Sequence, residues 1–126
     1  MQREKFTILV RGEDGNPQPK EVMAYSLGGG VFLHRMQVRD IAGAKQTNRY
    51  ADWTITAACG FAIVSIYHME YGLKRDQIIK AIKKTLLKLD WQKLPNPYTK
   101  EWASFDKKPY GGAKREFEKE LIKLAG

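Results

Sequence analysis

The side chains best equipped for chemistry in this sequence suit binding better than bond breaking. Phe32, His34 and Met36 alternate with Arg35, and Asn48, Arg49, Tyr50 and Trp53 follow. A later stretch supplies Trp91, Asn96, Tyr98, Trp102, Lys107, Lys108 and Tyr110, with Arg115 just beyond. Aromatic planes stack on bases, arginine forks pair with phosphates, and asparagine reads a base edge or a ribose hydroxyl. That combination suits a nucleotide or a single-stranded nucleic acid. The residues expected to bind the ligand are therefore Arg35, Arg49, Trp91, Asn96, Tyr98 and Arg115. For any one of these aromatics a place in the core is the commoner use, and the sequence leaves the choice open. Tyr98 and Tyr110, read as loop residues, have less core to fill.

Other chemistries find weaker footing. His34, His68 and Cys59 show no recognised metal spacing, and a single cysteine rules out an internal disulfide. Cys59 has no charged neighbour in sequence to lower its pKa, and Ser26, Ser65 and Ser104 lie in no nucleophile-elbow motif. The acids of the first half are scattered rather than paired for acid–base work. Neither a cofactor nor a metal is expected, and the chain reads as a non-enzyme. The strongest enzymatic rival is a small nucleotide-processing enzyme with His34 as general base. Gly28-Gly29-Gly30 opens a strand and lacks the Gly-Lys-Ser/Thr ending of a phosphate loop, so a close backbone approach explains it better. Lys80, Lys84 and Lys88 recur every four residues, which is the pattern of a solvated helix face.

The elements that must position these residues follow from periodicity. Phe6, Ile8 and Val10 alternate with Thr7 and Leu9, and turn formers from Gly12 to Pro19 lead to a second strand over Glu21–Leu27. Val31–Met36 reads as a third strand, residues 37–50 as a long loop, and Ala51–Ala58 and Phe61–Tyr67 as a hairpin turning at Cys59-Gly60. From Leu73 the period becomes helical, through Ile78, Ile79, Ile82, Leu86 and Leu89, until the prolines after Leu94. A loop carrying Tyr98, Trp102, Phe105 and Tyr110 then leads, past Gly111-Gly112, to a short helix with Phe117, Leu121 and Leu124. The expected fold is α+β: one domain over residues 1–126, an antiparallel sheet of about five strands followed by two helices. The chain's 126 residues carry a net charge of +8. The first 63 residues hold 8 basic against 6 acidic side chains, the last 63 hold 14 against 8. Such a basic half suits an anionic partner. No apolar run approaches the roughly 20 residues of a membrane span, and the N-terminus lacks a signal-peptide core, so a soluble, cytoplasmic protein is expected.

Trp53-Thr54-Ile55-Thr56, then Cys59-Gly60-Phe61-Ala62-Ile63, then Asp76-Gln77-Ile78-Ile79-Lys80-Ala81-Ile82 form a strand–turn–strand–helix unit. This layout, a β-rich start followed by helices, resembles the phage Thoeris anti-defence sponges of the first type over residues 20–120. The resemblance implies a non-enzymatic phage or mobile-element protein acting in the cytoplasm of an infected bacterial host. Such a protein sequesters a cyclic nucleotide signal, a cyclic ADP-ribose isomer or a cyclic oligonucleotide, to evade immunity. A homo-oligomer, dimer or hexamer, with shared sites would suit so small a domain. The rival of a different class is a basic nucleic-acid-binding or anti-CRISPR-type inhibitor module.

Overall fold

The strands run as an antiparallel meander: β1 (Arg3–Arg11), β2 (Pro17–Ser26), β3 (Val31–Arg35), β4 (Trp53–Ala57) and β5 (Ala62–Ile66), hydrogen-bonded in that order. Helices follow, as the α+β reading expects. The computed structural model describes residues 2–11, 14–35, 53–66 and 72–126. Arg49 and the loop expected at 37–50 lie outside the described residues, as do His68 and the expected end of the last strand at Tyr67.

The first hairpin is set by its turn. Asn16 donates from its backbone N to Asp14 Oδ1 at 3.0 Å and from Nδ2 to Oδ2 at 3.1 Å, and Gly15 takes φ +81°. Side-chain bonds of this kind mimic a backbone turn. The turn lets pairing continue up to it, so β2 begins at Pro17 instead of Glu21. The register then runs from Arg11 opposite Pro17 to Arg3 opposite Tyr25.

Period-two alternation sorts the strands into faces. Val31, Leu33, Ile55 and Ala57 are buried with the helical residues Ile78, Ile82, Phe117 and Leu121 in one core. The opposite face carries Phe32, His34, Thr54 and Thr56, and β4 is buried on both sides. The long β1–β2 hairpin curls across that second face: Phe6 stacks on Phe32 at 3.9 Å, and Leu9 reaches Gly60 in the β4–β5 turn. Gly60 has φ +96°, and a Cβ there would lie 3.0 Å from Leu9 Cγ.

The helical half departs from the sequence reading in two places. The first helix, α1 (Arg75–Lys84), stops well before Leu89, and single 3-10 turns at Leu86–Lys88 and Trp91–Lys93 replace the rest. Thr85 Oγ1 donates to Ala81 O at 2.8 Å, Trp91 Nε1 to Leu86 O at 2.8 Å, and Trp91 N to Gly29 O at 2.7 Å. Two of these bonds are local, and the third, from Trp91 N to the β2–β3 turn, ties the segment to the sheet. Together they draw the chain off the helix axis despite its continued apolar period. After the short α2 (Glu101–Ser104), the last helix, α3 (Lys108–Ala125), is 18 residues long and includes Tyr110, Gly111 and Gly112. Pro109, preset for a first helical turn, starts it ahead of the glycines.

The glycine triplet has the structural role expected of it. Gly28, Gly29 and Gly30 all have positive φ, and a Cβ on Gly30 would fall 2.5 Å from Gln92 N. Only glycine lets this hairpin turn meet the Trp91 segment. Among the described residues, no helix is long and apolar enough to cross a membrane.

Candidate functional site

Register places cations and rings together at one end of the sheet. Arg35, the last residue of β3, pairs with Trp53, the first of β4, and follows Leu33 on the face that carries the helices. On the other side of that end Arg3 pairs with Tyr25. The first turn of α1 closes the arrangement with Lys74, Arg75 and Asp76. Gln77 Oε1 accepts from Lys74 N at 2.9 Å, which fixes this helix start. Together with Met23 these side chains line a cleft of about 370 Å³, inside the range typical of small-molecule sites.

The guanidinium groups are stacked rather than loose. Arg35 Cζ lies 4.3 Å from the Trp53 ring centroid, and Arg75 Cζ lies 5.2 Å from that of Tyr25. The two rings are tilted at 50° with centroids 6.4 Å apart. Arg75 Nη1 donates to Tyr25 Oη at 3.0 Å and Nε to Asp76 Oδ1 at 3.3 Å. The hydrogen bond with Tyr25 and the pairing with Asp76 raise the Arg75 pKa further, so its charge is permanent. Four cations thus face one carboxylate, and the two stacked forks lose less freedom on meeting a phosphate than free side chains would. Trp53 is 5% exposed, and its Nε1 has no hydrogen-bond partner among the described residues. A buried N–H without a partner costs about 1–3 kcal/mol, which singles this ring out among the three tryptophans.

Of the six residues expected to bind, the five that are described do not converge. Arg35 lines the cleft. Trp91 is 2% exposed, its N–H is satisfied, and its ring meets Tyr110 edge-on at 4.8 Å, so it is a core residue. Asn96 uses Oδ1 to accept from Tyr98 N at 2.9 Å and so closes a turn. Tyr98 is 64% exposed and outside the cleft. Arg115 lies along α3, its guanidinium beside Gly111 and Gly112. Arg49 lies outside the described residues. The cleft residues missed by the sequence reading are Arg3, Met23, Tyr25, Lys74, Arg75 and Asp76. One signal was available for two of them: a hairpin centred on Asp14 sets Arg3 opposite Tyr25.

A second, smaller groove of about 170 Å³ lies between β5 and α3, with Trp91 in its wall and Phe61, Trp102 and Tyr110 around it. Tyr110 Oη donates to Asp90 O at 2.8 Å, and burial raises its pKa.

The nucleophile and base candidates are committed elsewhere. His34 is 2% exposed and both ring nitrogens are engaged, Nδ1 with Arg35 O and Nε2 with Thr56 Oγ1, each at 2.8 Å. A carbonyl only accepts, so Nδ1 carries the proton and Nε2 accepts from Thr56. Burial lowers the His34 pKa, and burial raises that of Cys59, which keeps its thiol protonated. Among the described residues no cluster of three His, Cys, Asp or Glu could hold a metal ion.

No family model matches the chain, and neither a curated protein nor a solved structure does.

Proposed function

We propose that the chain is a non-catalytic binding protein that captures an anionic nucleotide in the cleft between Arg3, Arg35 and Arg75. The observation that carries this reading is the convergence of four cations with the Tyr25 and Trp53 rings in one cavity. The forks suit phosphate oxygens and the rings suit a base or ribose face. The buried, fully bonded His34 supports binding without turnover. Within this class we favour a cyclic nucleotide signal, a cyclic ADP-ribose isomer or a cyclic oligonucleotide, sequestered by a phage or mobile element. At about 370 Å³ the cleft is near the lower end for a ligand site, so a cyclic oligonucleotide would need a second copy of the chain against it. A dimer or hexamer belongs to the same proposal.

The nucleic-acid-binding or anti-CRISPR-type alternative would draw on the lysine row, but two of those lysines are already paired. Lys84 Nζ lies 3.1 Å from Glu120 and Lys88 Nζ 3.3 Å from Glu116, both on α3. Calorimetric titration with cyclic ADP-ribose isomers and cyclic dinucleotides, at low and moderately high salt, separates the readings. Binding that survives salt, with the ligand recovered intact by mass spectrometry, supports capture. A chemically altered ligand, or no binding beside steeply salt-dependent binding of DNA or RNA, overturns it.

A further inference from the structure

The groove between β5 and α3 has a different chemistry from the cleft, and the nucleotide reading makes no use of it. Its volume of about 170 Å³ is close to that of an engineered apolar cavity, about 150 Å³, that admits one benzene ring. Its walls are themselves rings: Phe61 and Trp102 lie 5.2 Å apart at 51°, and Tyr110 contributes a third. Such tilted edges and faces match a further aromatic ring. The charged residues lining it, Lys107 and Lys114, are both cationic. Lys107 Nζ sits 5.0 Å from the Trp102 centroid and also donates to the carbonyls of Trp102 and Phe105, so its ammonium is held in place at the rim. Lys114 stands exposed on α3.

The helix bears a second mark of this space. Glycine inside a helix is about fivefold less favourable for folding than alanine, yet α3 carries two in succession. Packing among the described residues requires neither. A Cβ on Gly111 would meet only Arg115 Nη1, at 3.6 Å, and one on Gly112 only Arg115 Nη2, at 4.0 Å. Gly111 lines the groove and Gly112 does not. Gly111 thus contributes bare backbone to the groove lining.

We infer that this groove is a second binding site, for a small molecule built of one aromatic ring bearing a carboxylate. The ring lies among Phe61, Trp102 and Tyr110, and the carboxylate meets Lys107 and Lys114. Lysines act here as point charges and suit a single anionic group, whereas the arginine forks of the cleft suit phosphates. The inference does not rest on the nucleotide reading, since the two sites share no lining residue.

Benzoate, with benzamide as its uncharged counterpart, tests it by protein-observed NMR on the three indole N–H signals. Benzoate is expected to shift the Trp102 signal saturably and leave Trp53 unmoved, with benzamide at least fivefold weaker. Gly111→Leu adds a side chain at a residue that lines the groove and should weaken benzoate at least tenfold while raising Tm by about 4 °C, because leucine is the better helix former. Gly112→Leu should raise Tm similarly and keep the benzoate affinity. Equal affinity for benzamide, a response at Trp53 alone, no saturable shift, unchanged binding by Gly111→Leu, or an equal loss in Gly112→Leu would each overturn the inference.

Discussion

Trp53 and Trp91 stand at the two ends of the helix-covered face, each nearly buried and each beside a cavity, yet they are used differently. The Trp91 N–H is bonded to Leu86 O, its ring is held by Tyr110, and its backbone ties the β2–β3 turn to the helices. The Trp53 N–H has no partner among the described residues, and its ring carries a guanidinium, as the neighbouring Tyr25 ring does. One indole completes the fold, while the other, among the described residues, leaves an N–H unpartnered beside a cationic cleft. Two tryptophans of similar burial therefore differ in what meets their polar edges, and under the proposed function that difference separates scaffold from binding surface.

Stability should show the largest contrast. Trp91→Phe leaves a buried carbonyl without its donor and removes core volume, so it should lower unfolding free energy by about 2–4 kcal/mol. Trp53→Phe removes an N–H that bonds nothing described and should lower it by about 1 kcal/mol or less. Urea titrations of the two variants check this, and equal losses would erase the distinction. Affinity should show the reverse order. Arg35→Ala or Arg75→Ala should weaken nucleotide binding about tenfold to a hundredfold, the range for one charge-assisted contact, with little effect on Tm. The same calorimetry on Arg115→Ala should read near wild type, because that side chain lies on α3, away from the cleft.

The acid limb of stability depends on the face opposite the cleft. His34 is buried neutral and its folded pKa lies below its ordinary value of 6.5. Above that value the ring is neutral in both states, so it contributes no pH dependence. As pH falls through 6.5 the unfolded chain gains a proton that the folded ring resists, and stability drops. Tm should therefore fall from pH 7 to pH 5 more steeply in the wild type than in His34→Gln. Parallel curves would mean that the ring protonates freely in place. The smallest effect belongs to the lysine row. Lys88→Ala breaks a solvent-exposed pair with Glu116 and should change stability by less than about 1 kcal/mol and nucleotide affinity hardly at all. A marked affinity loss there would move the ligand from the cleft to the helices.

The sheet could be read from the sequence because period-two patterns and turn chemistry are local: Phe6, Ile8 and Val10 and the Trp53–Ala57 alternation hold. The expected turn between Gly12 and Pro19 is present but tighter, with β2 starting at Pro17. The helix ends were less legible, because Leu86 and Leu89 keep a helical period while the Thr85 hydroxyl and Trp91 indole bond nearby carbonyls and Trp91 N bonds the distant Gly29 carbonyl. Arg35 stood out beside its aromatic neighbours, but its cleft partners come from β1, β2 and the start of α1. Arg75 and Tyr25 meet across fifty positions of sequence, which no spacing rule encodes. Trp91 and Asn96 fit a binding pattern by type alone, whereas their polar atoms are consumed within the chain.

The most direct test follows the three indole N–H resonances while a cyclic ADP-ribose isomer is added to the full chain. The account predicts that the Trp53 signal moves saturably, that those of Trp91 and Trp102 stay in place, and that Arg35→Ala suppresses the shift. Movement confined to Trp91 and Trp102, or no movement at any of the three, would contradict the cleft as the nucleotide site.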